Sequence, residues 1–157
     1  MSNKKPGYII CAVRGGRESR DTVSRAIDLA RETGAHLTFF HVMDAEFVSH
    51  ATVGPLRLVY RELVEMGEFA MLILCDRARR RGVERVDYIV REGNIRKQLR
   101  AFARETHAEI MVMGEPTRSP GSNIFRLDEF KAFVGELERE GDLQIVKVVP
   151  TLSNNAN

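Results

Sequence analysis

The chain lacks the features that mark metal-binding and disulfide-stapled proteins. It has only two cysteines, Cys11 and Cys75, among 157 residues. No second cysteine lies near either of them, which excludes the paired spacings of zinc sites and dithiol motifs. Cys11 falls in an apolar strand pattern and Cys75 in a helical one, so both are expected to be buried free thiols. Such thiols suit a reducing compartment.

Long hydrophobic runs and an excess of one charge are absent as well. The apolar run from Tyr8 to Val13 is too short for a signal-peptide core or a membrane span, so we expect a cytoplasmic protein with no membrane contact. The net charge is only +2, whereas a nucleic-acid binder would show a strongly basic face. The basic run from Arg77 to Arg85 lies at the carboxyl end of a helical pattern, where the helix dipole favours cations without any nucleic acid.

No catalytic pattern can be recognised. The HExxH spacing, the GxSxG turn and clustered carboxylates are all missing. The histidines are scattered, at His36, His41, His50 and His107. His41 ends a predicted strand, where packing or orientation is its expected role. The sequence therefore predicts a protein that is not an enzyme, with no metal site and no firm cofactor.

Strand and helix patterns alternate along the chain, which predicts one α/β domain over residues 1–150 with a mainly parallel sheet. The remaining residues, 151–157, have the composition of a disordered tail. The predicted strands are Tyr8 to Val13, Leu37 to Val42, Val86 to Val90, Ile110 to Met113 and Ile145 to Val149.

Four helices are predicted between these strands from the 3.6-residue period of their apolar positions. The first ends at Gly34, Asn94 caps the third, and Gly67 interrupts the longest, marking either a bend or a close neighbour. The predicted buried faces are Val23, Ala26, Ile27 and Ala30 in the first helix, Leu56, Val59, Leu63, Met66, Ala70 and Ile73 in the second, Ile95, Leu99, Phe102 and Ala103 in the third, and Leu127, Phe130, Val134 and Leu137 in the last.

A ligand site is predicted at one edge of this sheet. In an open parallel sheet, ligands bind beyond the carboxyl ends of the strands where the winding reverses direction. The segment from Val86 to Gly114 reads as strand, helix and strand, and it ends on Gly114. The polar loop from Gly114 to Asn123 follows, so the candidate site lies there.

Four segments resemble the universal stress proteins: YIICAVRGG, AHLTFFHVMD, YIVREGNIRKQLRAFARETHAEIMVMG and QIVKVV. Together they cover nearly the whole chain. The most specific part is the pair of REG at Arg91 to Gly93 and VMG at Val112 to Gly114. The resemblance implies a doubly wound five-stranded sheet in the order 3-2-1-4-5, with helices on both faces. It also implies a two-fold dimer joined through the fifth strand.

Members of that family that bind ATP carry Asp at the end of the first strand. After the fourth strand they carry a loop of Gly, two residues, Gly, nine residues and then Gly-Ser or Gly-Thr. Here Arg14, which can only donate hydrogen bonds, stands at the Asp position. Thr117 stands at the second Gly, and Leu127-Asp128 at the last pair. The resemblance thus implies a non-catalytic stress-response and regulatory protein with a degenerate ATP motif. It would act as a homodimer with unknown protein partners and would not bind ATP in the usual way.

A first alternative is a nucleotide- or anion-binding module that holds ATP or another anionic ligand between strands 1 and 4. Arg14, Arg17, Arg20 and Arg118 come from the two loops that meet there, beside the amino end of the first helix. These arginines could instead be solvated, with Arg14 paired to Glu18, Asp21 or Glu115. The candidate binding residues are Val13, Arg14, Gly15, Gly16, Val42, Met113, Gly114, Thr117, Arg118, Gly121, Ser122 and Asn123.

A second alternative rests on RGGRES at Arg14 to Ser19. This turn is similar to the SGGxDS turn with which PP-loop ATP pyrophosphatases hold pyrophosphate at a helix amino terminus. Arg14 replaces the leading Ser of that motif and Glu18 replaces its Asp.

The fifth strand is a candidate dimer interface. If it lies at the sheet edge, its alternating side chains leave apolar surface that a partner strand could cover. The candidate residues are Ile145, Val146, Lys147, Val148 and Val149. The alternative is a monomer in which Lys147 and Pro150 protect the edge from pairing.

Overall fold

The computed structural model describes residues 6–14, 19–44, 55–116 and 126–151. Five parallel strands form one sheet in the order β3-β2-β1-β4-β5, which confirms the predicted fold class and strand order. The strands are β1 (Tyr8–Ala12), β2 (His36–Asp44), β3 (Val86–Gly93), β4 (Ile110–Gly114) and β5 (Gln144–Val148). The helices are α1 (Arg20–Thr33), α2 (Pro55–Arg80), α3 (Ile95–Thr106) and α4 (Leu127–Arg139).

Helices cover both faces of the sheet, because the central strands are apolar on both sides. In β1 the side chains of Ile9 and Cys11 point to one face and that of Ile10 to the other. The first face packs against α1 and the carboxyl half of α2. The second face packs against α3 and α4, with Phe40 stacked on Phe102 at a centroid distance of 4.5 Å.

The predicted helix ends are confirmed at two places. Gly34 ends α1 in the left-handed conformation, with φ of 74°, which glycine adopts without strain. Asn94 begins α3, and its side chain accepts a hydrogen bond from the Lys97 backbone N–H at 3.1 Å. Strand β3 extends beyond its predicted end at Val90, because it pairs with β2 as far as Gly93, which lies opposite Asp44.

The predicted buried face of α2 is wrong. Val59, Leu63, Met66 and Ile73 are between 40% and 66% exposed, and Ala70 is exposed too. The side chain of Leu56 lies outside the described residues. The face that packs on the sheet instead carries Met71, Cys75 and Ala78. Apolar residues occur on two opposite sides of this helix, and only one side can face β2 and β3.

Two smaller points concern α4 and the thiols. Phe130, Val134 and Leu137 are buried as predicted, but Leu127 at the start of α4 is 45% exposed. Cys11 and Cys75 are free and buried, which confirms the expectation for both. Among the described residues, no helix combines the length and the apolar character that crossing a membrane requires.

Candidate functional site

The carboxyl ends of β1 and β4 meet at the centre of the sheet, where the winding reverses. Cys11 of β1 lies beside Val112 of β4. Arg14 lies two residues beyond the end of β1, and its Nη2 donates a hydrogen bond to the Gly114 carbonyl oxygen at 3.2 Å. The guanidinium is therefore held against the end of the neighbouring strand. Arg14 can only donate hydrogen bonds. It occupies the position at which the ATP-binding proteins described above carry Asp, an acceptor.

Little room remains beside this guanidinium. The hollow at the strand ends has a volume of about 10 Å³, and a single water needs roughly 10–15 Å³. Its lining comprises Ala12, Arg14, Ser19, Thr22, Gly114, Glu115 and Pro150. This hollow is therefore about the size of one water molecule.

Gly114 has a packing role at this point. A Cβ built on Gly114 would lie 2.8 Å from the Thr22 Oγ1, closer than real Cβ atoms approach other atoms. Thr22 is only 2% exposed and lies in the first turns of α1. The absence of a side chain at Gly114 therefore allows α1 to pack directly on the end of β4. The sequence pattern did not single out Thr22, although its spacing of four from Ala26 places it on the buried face of α1.

The amino end of α1 is already bonded to the chain that follows β5. An Asp21 carboxylate oxygen accepts hydrogen bonds from the backbone N–H and the hydroxyl of Thr151, both at 2.8 Å. These two bonds, and the nearby charge of Arg20, lower the pKa of Asp21. An ionised carboxylate also interacts favourably with the positive end of a helix dipole. A bound anion would compete with this carboxylate. Residues 152–157 of the predicted tail lie outside the described residues.

The other predicted binding residues fall into two groups. Val13, Val42 and Met113 are no more than 8% exposed, and their side chains belong to the core. The Val13 carbonyl accepts a hydrogen bond from the Nδ1 of His41 at 2.8 Å, which agrees with the orienting role expected for that histidine. The remaining candidates, Gly15, Gly16, Thr117, Arg118, Gly121, Ser122 and Asn123, lie outside the described residues, as do Arg17 and Glu18.

Arg91 of the REG motif holds β3 to α3. Its guanidinium lies 5.0 Å from the centroid of Phe102 and donates to both Glu105 carboxylate oxygens, at 3.1 and 2.6 Å. The paired hydrogen bonds lower the pKa of Glu105 and raise that of Arg91. This contact is structural and lies on the α3 side of the sheet. The arginine of this motif therefore has a role that does not involve a ligand.

Two observations bear on metal ligands and on the histidines. Within residues 6–14, 19–44, 55–116 and 126–151, no three His, Cys, Asp or Glu side chains are grouped as a metal site would require. His36 Nε2 lies 3.0 Å from Asp87 and His41 binds the Val13 carbonyl. His50 lies outside the described residues.

Comparisons with known proteins agree with this architecture. The chain matches the model of the universal stress protein family over residues 7–126. No curated protein shows a significant match. Universal stress protein UspA from Lactobacillus plantarum superposes with a TM-score of 0.69 at 17% identity, covering 94% of this chain and 99% of that one.

Two further solved structures carry nucleotides. A universal stress protein in complex with cAMP superposes with a TM-score of 0.61 at 16% identity, covering 92% of this chain and 98% of that one. The universal stress protein from Archaeoglobus fulgidus in complex with dAMP gives 0.59 at 14% identity, covering 90% and 96%. These likenesses show the fold, and the family model covers well over half of the sequence. The chain therefore belongs to the universal stress protein family.

Proposed function

We propose that this protein is a non-catalytic, regulatory universal stress protein that does not bind ATP in the usual way and acts as a dimer. The observation that supports this most directly is the hydrogen bond of 3.2 Å between Arg14 Nη2 and the Gly114 carbonyl. It holds the Arg14 side chain against the end of β4, in the region where the resemblance implies a nucleotide site. The protein would then act through its surfaces and its partners rather than through chemistry on ATP.

The energetic cost of clearing the cleft can be estimated. A hydrogen bond with a charged partner contributes roughly 1.5–3 kcal/mol, so a ligand that displaces Arg14 from Gly114 loses about 10- to 150-fold in affinity. Adenosine would also lose an acceptor for its hydrogen bonds, because a guanidinium can only donate them. Two further features lower the expected affinity for ATP. They are the small hollow beside Arg14 and the carboxylate of Asp21 at the amino end of α1.

Nucleotide titration of native and variant chains tests the proposal. Ligand binding raises the melting temperature with the logarithm of concentration above the dissociation constant. We expect ATP at millimolar concentration to leave the melting temperature of the native chain unchanged. Arg14→Asp, which restores an acceptor and removes the cation, should bind adenosine nucleotides more tightly than the native chain. Arg139→Asp makes the same charge change at an exposed position in the last turn of α4 and is the control. Strong stabilisation of the native chain by ATP that Arg14→Asp does not improve would refute the proposal.

An anion-binding cleft is the second candidate. It is supported by the related structures that hold cAMP and dAMP, and by Arg14 and Arg20 near the start of α1. In this case Arg14 would leave the Gly114 carbonyl and pair with a phosphate. The native chain would then be stabilised by AMP, cAMP, pyrophosphate or sulfate, and Arg14→Ala would abolish that effect. Release of pyrophosphate from ATP would instead favour the PP-loop-like pyrophosphatase alternative.

The dimer is proposed at the edge formed by β5. Backbone bonds from Gln144 to Glu109 and from Glu115 to Val148 show which polar groups point toward β4. Because consecutive residues of a strand point their backbone groups in opposite directions, Ile145, Lys147 and Val149 point theirs away from β4.

Side chains near that edge suit a partner. Val149 is 66% exposed, and Val146 and Val148 are only partly buried. An open groove of about 420 Å³ runs between α1 and this strand, lined by Asp21, Ser24, Arg25, Asp28 and the residues from Val146 to Val149. A two-fold axis beside β5 would pair the strand with its copy in antiparallel fashion and cover part of the groove.

Lys147→Pro is the matching test, because proline removes an outward N–H without breaking a bond to β4. Lys147→Ala keeps the N–H and is the control. Light scattering after size exclusion should show that Lys147→Pro halves the mass of the native assembly and that Lys147→Ala leaves it unchanged. Equal masses for all three chains would exclude pairing through this edge.

A further inference from the structure

The chain that follows β5 crosses the amino end of α1. Strand β5 ends at Val148, whose carbonyl accepts a hydrogen bond from the Glu115 backbone N–H at 2.8 Å. Three residues later, the backbone N–H and the hydroxyl of Thr151 both donate to one carboxylate oxygen of Asp21. Residues 149–151, the strap, are therefore held at one end by the sheet and at the other end by the first turn of α1.

The strap is attached to α1 at a single place. Within the part of the chain that the structure describes, neither Val149 nor Pro150 forms a hydrogen bond with the rest of the domain. The Val149 side chain is 66% exposed, and Thr151 is exposed as well. The two bonds to Asp21 lie at the surface, where local opening requires far less free energy than unfolding of the domain. The strap can therefore leave α1 while the sheet stays intact.

The strap also forms one wall of the hollow beside Arg14. Pro150 lines this hollow together with residues of β1, α1 and β4. The walls from α1 and β4 are fixed, because Thr22 is 2% exposed and lies directly against Gly114. Pro150, in contrast, lies beyond the last strand. Movement of the strap would therefore widen the hollow without disturbing the packing of α1 on β4.

We propose that the strap closes the cleft at the ends of β1 and β4, and that its release from Asp21 admits phosphate-bearing anions. This proposal rests on the second candidate function, the anion-binding cleft. In the closed state Pro150 narrows the hollow, and the Asp21 carboxylate is held at the amino end of α1, where it competes with an anion. The strap is then an autoinhibitory contact made by the chain itself.

Asp21 has another partner when the strap is released. Arg25 lies four residues further along α1, the spacing at which a carboxylate and a guanidinium pair on a helix surface. Both residues line the open groove beside β5, which is separate from the hollow. Once Thr151 has left, Asp21 pairs with Arg25 on the groove side. Release of the strap thus widens the hollow and reduces the repulsion of an anion by Asp21.

A thiol placed in the hollow tests whether the strap closes it. Ser19 lines the hollow, and Ser19→Cys replaces a single oxygen with sulfur. A thiol at a helix amino terminus reacts readily once a reagent reaches it. Thr151→Pro removes both donors to Asp21 without changing the charge. It should raise the labelling rate of Ser19→Cys about tenfold or more, because the closed state is lost. Thr151→Ser keeps both donors and should leave the rate unchanged.

The two native thiols are internal controls for this experiment, because Cys11 and Cys75 are buried. Equal labelling rates of Ser19→Cys with and without Thr151→Pro would refute closure by the strap. Faster labelling of Cys11 and Cys75 in the same variant would refute it as well, since Thr151→Pro would then be opening the whole domain.

Titration with pyrophosphate tests which ligand the open strap admits. Thr151→Pro should bind pyrophosphate about tenfold more tightly than the native chain, and Thr151→Ser should match the native chain. Neither substitution changes the charge, so the gain reports access alone. Addition of Arg14→Ala to Thr151→Pro should remove the gain. Faster thiol labelling at unchanged pyrophosphate affinity would overturn the role of the strap in ligand access. That result is distinct from failure of the main proposal, which is judged by ATP binding to the native chain.

Discussion

Substitution of Gly114 by alanine should destabilise the protein, for a reason that involves α1 rather than a ligand. The new Cβ would lie 2.8 Å from Thr22 Oγ1. Thr22 is 2% exposed, so its side chain has nowhere to move. Forcing an extra methyl group into a packed site costs typically 1–3 kcal/mol. For a domain of about 150 residues this corresponds to a fall in melting temperature of roughly 2–12 °C.

Urea denaturation of four chains measures the effect: native, Gly114→Ala, Thr22→Ala and the double variant. Because Thr22→Ala removes the clashing oxygen, the double variant should lose less stability than the sum of the single variants. Gly135→Ala is the control, since a Cβ there would meet only the end of the Arg139 side chain, at 3.8 Å. If Gly114→Ala changes the free energy of unfolding by less than about 0.5 kcal/mol, or if the two substitutions are additive, the close packing of α1 on β4 is wrong.

Three further predictions concern other parts of the molecule. Gly67→Ala should raise the free energy of unfolding by about 1 kcal/mol in urea, because a Cβ would only reach van der Waals contact with His41, at 4.0 Å; a loss of stability would contradict this. Hydrogen bonds from Thr151 lower the pKa of Asp21 in the folded chain. Their contribution to the stability of the fold is therefore present above the pKa that Asp21 has in the unfolded chain. It is lost as the pH falls through the lower pKa that Asp21 has in the folded chain. The Thr151 amide signal in NMR should titrate at acid pH, and Asp21→Asn should remove the titration. Cys11 is fully buried, and burial raises its pKa, so a thiol reagent should label it only when the chain opens; rapid labelling of the native protein would contradict its burial.

The periodicity of the sequence predicted the five strands and two helix ends. It did not predict which face of α2 packs on the sheet. Apolar runs such as the one containing Ile9 and Ile10 identify strands because both faces of a parallel strand are buried. In α2, one apolar arc contains Met66 and Ile73 and another contains Met71 and Cys75. A period of 3.6 residues identifies both arcs, but only tertiary packing determines which arc faces the sheet. The sheet order followed from the family resemblance rather than from the pattern.

Two features of the candidate cleft could be predicted from the sequence. The position of Arg14 at the end of β1 follows from the chain pattern, and the meeting of β1 with β4 follows from the strand order. Its hydrogen bond to Gly114 joins residues 100 positions apart, and such a contact depends on the side-chain rotamer. The close approach of Thr22 depends on the distance between a helix and a strand. Neither the side-chain rotamer nor the distance between helix and strand can be predicted from the local sequence.

Calorimetric titration of the native chain with ATP and magnesium tests the central claim most directly. If Arg14 and the packing of α1 fill the cleft, the titration should show no saturable heat at millimolar nucleotide. Saturable binding at micromolar ATP, in a chain whose Arg14 is intact, would contradict the account.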